Sequence, residues 1–291
     1  NKTGFGKLKL SGNNTFGPSS GSVGVNIKDG TLILAGATNN AAGAGNISVN
    51  KGKLEIANGR TISNTLTSDN SGRSFIGGTG KISTVSIGSA NGNIDVLSPG
   101  EGISSSLNLA NKQAPRGNEG DEDLSIGTFN AGTLNLLNGG VYDWEIKDFN
   151  DGGTAGTNWD LMKFDALTFG GSSDKFTINI MGLDSSGAAG SPLNGNLWSE
   201  SGSSFKFLEY SGSGTNVNWG AWNSGNINDY FDFRFDDLAY NTNMWGQAWD
   251  VTYSSNAFHL NFSAAPEPST YMMVTGLFML PGYRWIRRFR K

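Results

Sequence analysis

Cysteine is absent from the 291 residues, and histidine occurs once, as His259. Without cysteine there are no disulfides, no thiolate chemistry and no zinc site of the Cys type, and a single histidine excludes His-rich metal centres. The compartment stays open, because exported proteins can do without cysteine. Aromatic residues are scarce in one part of the chain only: residues 1–128 contain Phe5, Phe16 and Phe75, and the other 29 lie in residues 129–291. A positive excess is lacking as well, the formal net charge being −4. Outside residues 264–291 the body carries 16 basic and 24 acidic residues. Such a body does not favour nucleic acid, whose binding begins with phosphate neutralisation. No segment of helical period competes with strands before the tail, so the fold class is all-β.

Glycine is abundant instead, with 43 residues, about twice its usual share. Much of it belongs to a repeat. GKLKLSG begins at Gly6, GTLILAG at Gly30 and GKLEIANG at Gly52, each a glycine followed by aliphatics two apart. VNIKDG and ISVNKG precede the second and third units, and GKISTVSIG, GNIDVLSPG and GTLNLLNGG are looser echoes. Alternation of period two means strands with one buried face. A recurrence every 20–25 residues or so means units too small to bury that face alone, which must stack as a solenoid. A narrow parallel β-helix core rewards Leu, Ile and Val, which accounts for the missing aromatics. From Phe129 the strands VYDWEI, LMKFDALTF, FTINIMGL, FKFLEY, YFDFRFDDL, WDVTY and FHLNF are read as cleanly alternating and aromatic. They predict either an antiparallel β-sandwich or broad, aromatic-filled β-coils that cap the solenoid. Two architectures are expected to meet near residues 129–160. The domain expectation is a β-solenoid over 1–140, an aromatic-rich capping region over 141–263, and a separate tail over 264–291.

That tail reads PEPSTYMMVTGLFMLPGYRWIRRFRK. Residues 270–286 number 17 and reach roughly 26 Å as a helix at about 1.5 Å per residue, close to a hydrocarbon core about 30 Å thick. Tyr271, Tyr283 and Trp285 fall where interfacial aromatics belong, and the positive end stays cytoplasmic. The apolar stretch is carried by Tyr271, Met272, Met273, Val274, Gly276, Leu277, Phe278, Met279 and Leu280. Arg284, Arg287, Arg288, Arg290 and Lys291 follow it. Pro266 and Pro268 keep the preceding segment out of helix or central strand, and Glu267 resists entry into lipid. The single transmembrane helix expected here places the body outside the inner membrane. An ordinary anchor behind a proline linker is the plainer reading of the same residues.

Two resemblances follow from these residues. GFGKLKLSGNNTF and VNIKDGTLILAG, residues 4–16 and 25–36, resemble the autotransporter-associated β-strand repeat, with a weaker copy at 47–59. The tail resembles the PEP-CTERM sorting signal: Pro266-Glu267-Pro268, a span over 271–283 and a basic end over 284–291. LSPGEGI, GTLNLLNGGVYDWEI, GTNWDLMKF and FHLNFSAAPEPS are phrases that look like members of that group carrying the strand repeat. The resemblance implies export from a Gram-negative bacterium and handling by an exosortase, a membrane transpeptidase. It also implies transient anchoring in the inner membrane and a final place at the cell surface or in the extracellular matrix, as a structural or adhesive component that contacts surface polysaccharide.

Catalytic readings are weaker. GPSSG centres Ser19 in a nucleophile-like pattern, but no helix follows, and the only base is His259, expected on the solvent face of FHLNF. KDFNDGGTAGTNWD offers Asp148, Asn150, Asp151 and Asp160 as oxygen ligands yet fails the calcium-loop template. GGTGKI begins like a calcium-binding nonapeptide but has Ile82 where an acid is needed, and GDED at 120–123 reads as a solvated loop. Glu55 and Asp95 are read as isolated acids, whereas a polysaccharide-cleaving solenoid needs converging carboxylates. No catalytic residue, metal or cofactor is therefore expected. The chain begins at Asn1 without a basic-then-apolar leader. Either a signal peptide has been removed or this is a piece of a longer protein; the mid-repeat reading of residues 1–12 favours the piece.

Overall fold

The computed structural model describes residues 1–4, 6–14, 21–36, 41–69, 71–88, 93–100, 126–149, 152–170, 175–187, 203–212, 217–218, 226–234 and 248–263. The expected sorting motif, membrane span and basic end (264–291) lie outside the described residues, as do Ser19, Asn150, Asp151 and residues 120–123.

Among the described residues the chain is β-structured, with one 3-10 turn at Ile227–Tyr230. Numbered in chain order, β1 (Lys7–Leu10), β3 (Thr31–Leu34), β5 (Gly52–Ile56), β8 (Ser74–Gly78), β10 (Val96–Pro99), β12 (Val141–Ile146), β14 (Phe176–Gly182) and β17 (Phe231–Arg234) stand side by side. All their pairings are parallel, and they form the long sheet. A second sheet runs in parallel through β6 (Thr61–Ile62), β9 (Lys81–Ile87), β11 (Thr128–Leu136), β13 (Leu161–Phe169) and β15 (Ser204–Tyr210). It continues into the antiparallel strands β19 (Ala257–Ser263) and β18 (Ala248–Ser254), and β16 (Val217–Asn218) also lies beside β13. A short parallel sheet contains β2 (Val23–Ile27), β4 (Asn46–Val49) and β7 (Leu66–Thr67). Successive strands visit different sheets and return to each in parallel, an arrangement compatible with a β-solenoid.

The circuit length changes along the chain. In the long sheet Lys7 stands beside Thr31, Thr31 beside Lys53, Lys53 beside Phe75 and Phe75 beside Val96, so the early circuits are short and nearly equal. Beyond that, Val96 stands beside Val141, Val141 beside Thr177 and Phe176 beside Phe231, and every one of these circuits is longer than any of the early ones. Parallel pairing runs straight through residues 129–160, where two architectures were expected to meet. For residues 129–263 it is compatible with coils; among the described strands antiparallel pairing occurs in β15, β18 and β19, with an isolated antiparallel bridge between Ile146 and Trp159. A parallel ladder needs only matching strands; the loops can lengthen without disturbing it.

One inward row shows what the widening does. Leu32, Leu54, Ile76, Leu97, Tyr142, Ile178 and Phe233 occupy successive register positions along the long sheet, beyond the exposed Leu8 of β1. In the second sheet the matching row is Ile62, Ile82, Ala131, Phe164 and Tyr210. Each fully buried aliphatic side chain contributes roughly 1.5–3 kcal/mol. In the broad coils Phe205 gathers Trp144 (6.0 Å between rings), Phe149 (5.9 Å) and Trp159 (5.1 Å, edge-on). The buried indoles keep their N–H groups satisfied: Trp144 Nε1 donates to the Asp160 carbonyl and Trp159 Nε1 to that of Lys206, both at 2.9 Å.

The repeat glycines have a steric cause. Gly30 and Gly52 have φ of 68° and 137°. A Cβ on Gly30 would lie 2.5 Å from the Gly4 carbonyl oxygen, and one on Gly52 would lie 2.4 Å from that of Gly30. Each coil corner thus leaves no space for a side chain beneath the next, besides needing a conformation that only glycine adopts freely. At the other end, Ser255 and Asn256, at φ 51° and 62°, make the two-residue turn of the β18–β19 hairpin.

Strict alternation fails at one place in the second sheet. In β9 the inward residues are Ile82, Val85 and Ile87, with Ser83 and Thr84 both facing out. β11 repeats this at Gly132–Thr133, and β13 at Asp165–Ala166, so LMKFDALTF does not alternate cleanly as expected. The three slips are stacked in register, Thr84 beside Thr133 and Thr133 beside Ala166, so the ladder is kept.

Candidate functional site

The acids expected to stand alone do not. Lys53 and Glu55 face outward from β5, opposite to Leu54 and Ile56, yet each side chain is only 2% exposed, with Lys53 Nζ 3.6 Å from Glu55 Oε1. The lysine stem crosses Gly77 of the next coil, where a Cβ would come within 3.2 Å of Lys53 Cε. On the same outer face Phe75, Val96 and Val141 pack together. Further along, Asp143 and Glu145 of β12 are buried. Asn179 Nδ2 donates to Asp143 Oδ1 at 2.9 Å. Asp95 is held differently: the Ser74 backbone N–H (2.8 Å) and Oγ (3.0 Å) both donate to its Oδ2.

Asp160, expected as a candidate cation ligand, is fully buried just before β13. Its Oδ1 accepts the Gly127 N–H at 2.9 Å and its Oδ2 the Glu145 N–H at 3.1 Å, so one carboxyl group ties the start of β11 to β12. Burial pushes this carboxyl well above the usual carboxylate range, and the charge of Glu145 adds to the rise; the backbone hydrogen bonds and the charge of Lys53 oppose it. Among the described residues no group of three or more His, Asp or Glu is placed to hold a metal ion. Asp148 is half-buried, and Ile82 of GGTGKI is a core residue of β9.

Sequence reading missed Lys53, Asp143 and Glu145 as members of one buried charged face. The signal was present in GKLEI and VYDWEI, where charges alternate with core residues, but alternation alone reads such positions as solvated. A general acid or base needs an approach for its substrate. These carboxylates are enclosed; Glu55 meets Lys53 of its own strand, while Asn179 ties Asp143 to the next strand of the long sheet.

His259 is half-buried on the outer face of β19, opposite to Phe258 and Leu260. Its Nδ1 lies 3.4 Å from Ser254 Oγ, and in register it stands beside Lys206 and Thr252. Burial lowers its pKa, and the charge of Lys206 lowers it further. The charged groups of this outer surface pair with one another, as in Lys81–Asp165 at 2.8 Å and Lys163–Glu209 at 3.1 Å.

The open concavity lies elsewhere. Among the described residues the short sheet ends at β7, so the later coils have no third strand beside it. At this step is a groove of about 330 Å³, with Ser63, Thr65, Ser83 and Thr84 on its walls and Leu66 and Val85 as its apolar part. Ser83 and Thr84 are the two consecutive outward residues of the phase slip in β9. Gly132 backs them, because a Cβ there would lie 2.5 Å from the Ser83 carbonyl oxygen. Asn64, also on the lining, is fixed by donating to the carbonyls of Gly43 (3.0 Å) and Gly45 (2.8 Å). Ser86 accepts from Asn135 Nδ2 at 3.0 Å. The described lining residues carry no formal charge.

Compared with protein-family models and with curated protein sequences, the chain matches none. Among the described residues no helix is long and apolar enough to cross a membrane.

Proposed function

We propose that this chain is an exported, non-enzymatic β-solenoid of the cell envelope, a parallel β-helix of strand repeats with broad aromatic-filled coils, sorted by an exosortase through its tail. The observation that carries the reading is the order of three elements in the sequence: Pro266-Glu267-Pro268, an apolar run over 271–280, and five basic residues over 284–291. The parallel stack supports a scaffold role, since each added coil extends a rigid surface at no cost in unpaired edges. In this reading the tail spans the inner membrane during export, with its C-terminus in the cytoplasm. An envelope transpeptidase then reads the Pro-Glu-Pro segment and releases the body to the surface or matrix.

The test is the intact mass of protein recovered from the envelope. Wild type is expected to have lost the residues beyond the sorting motif. Replacing Pro266, Glu267 and Pro268 with alanine is expected to leave full-length protein in the inner membrane. Wild-type protein that still ends at Lys291 would instead be a permanently anchored membrane protein, and the sorting reading would be lost. A second reading, polysaccharide cleavage, has one observation in its favour: Glu55, Asp143 and Glu145 share an outer face of the long sheet. Their burial weighs against it, and turnover of an acidic glycan by the purified chain is the result that would revive it.

A further inference from the structure

We propose that the groove at the end of the short sheet is a binding site for a short, uncharged saccharide. This rests on the reading of the chain as an envelope component and adds the place and chemistry of its glycan contact. Three features select the ligand class. Ser63, Thr65, Ser83 and Thr84 are exposed hydroxyl residues. A hydroxyl both donates and accepts, which suits a ligand whose own hydroxyls do the same. The described lining carries no formal charge, so the groove has no means of holding an anion or a cation against water. Leu66, half-buried, offers a small apolar surface for the C–H face of a sugar ring.

The fold supplies the rest. β7 pairs with β4 on one side and with no described strand on the other. The stacked phase slip of β9, β11 and β13 turns Ser83 and Thr84 outward together, where strict alternation would have buried one of them. Asn64 and Ser86 are already held by neighbouring coils, so the walls are set before a ligand arrives. At about 330 Å³ the groove sits at the small end of ligand sites, which run from about 300 to 1,000 Å³. With no aromatic platform on its described lining, it binds weakly, with Kd on the order of 1 mM.

The experiment is ligand-observed NMR on the purified chain with neutral and uronic-acid trisaccharides as probes. Neutral trisaccharides are expected to bind, and the uronic ones at least about tenfold more weakly, a difference of about 1.4 kcal/mol. Ser83→Glu and Thr65→Glu, on opposite walls and both exposed, are each expected to weaken neutral binding by about tenfold or more. Thr252→Glu, exposed on distant β18, is expected to leave it unchanged; circular dichroism checks that all three variants keep the β signal. No saturation transfer to neutral trisaccharides at about ten times that Kd would overturn the proposal. So would a preference for the uronic probes, or binding that ignores both wall variants. None of these outcomes depends on how the tail is processed, so the glycan site and the sorting reading fail separately.

Discussion

The coils before residue 100 and those after residue 126 share one hydrogen-bonding scheme and differ in almost everything else. The first make short circuits in the long sheet, as from Lys53 to Phe75, and are filled with Leu, Ile and Val. The second make long circuits, as from Phe176 to Phe231, and add Phe, Tyr and Trp to the aliphatic filling. The ladder row from Leu54 to Tyr142 passes from one region to the other without a break in register. The lesson is that a parallel β-stack fixes spacing along its axis and leaves cross-section to the side chains. A wider coil needs larger residues to reach the density of a protein interior.

Four experiments would break or sharpen this comparison. The largest expected effect is that of Trp144→Ala, about 3–5 kcal/mol in denaturant-induced unfolding. It empties the space beside Phe205 and removes the N–H that serves the Asp160 carbonyl. A cost below that of Leu54→Ala, about 2–5 kcal/mol, would mean that the broad coils are loosely packed. Next is overpacking on the shared ladder row: Leu54→Phe is expected to cost about 1–3 kcal/mol, and Ile178→Phe, between Tyr142 and Phe233, distinctly less. Equal costs would show that circuit width does not set residue size.

Third is the pH dependence of Asp160, read by unfolding at a series of pH values. Its carboxyl is raised in the folded state by burial and by Glu145. Between the ordinary carboxylate pKa and the raised one, the folded chain binds the proton that the unfolded chain has lost. The stability due to this group is therefore present at low pH and declines as pH rises through that window. Asp160→Asn is expected to remove the decline while costing about 1–3 kcal/mol at low pH, because an amide cannot accept both N–H groups as well. A wild-type profile parallel to that of the variant would contradict the raised carboxyl. Smallest is His259, whose pKa is lowered by burial and by Lys206. Its contribution is present above the ordinary histidine pKa and lost as pH falls through the lowered one. His259→Gln should flatten only that acid-side slope.

Much of the fold was legible because its causes are local. GTLILAG and GKLEIANG announce strands, though not that the second face is covered as well, and their leading glycines mark corners where coil meets coil. The phase slip was harder to read, though LMKFDALTF contains it: Phe164 and Leu167 are three apart, and Asp165-Ala166 between them looked like ordinary alternation. The strand β8 went unread, since Gly77 and Gly78 leave Ile76 as its single inward aliphatic. In the candidate site, the hydroxyls of the groove gave no motif at all. Residues 63–65 and 83–84 become neighbours because β6 pairs with β9, Ile62 beside Ile82, a pairing between successive coils.

The sequence by itself determined the class of structure, through alternation and repeat length, and the change of filling at residue 129, through the sizes of the side chains. Only the tertiary structure decided which outward residues are enclosed and which are open. Lys53, Glu55, Asp143 and Glu145 look as solvated in the sequence as Ser83 and Thr84, yet the first four are sealed and the last two are exposed. The physical reason is that alternation specifies the face of one strand, whereas burial depends on what lies across that face, and in a stacked fold this is chain from circuits far away in the sequence.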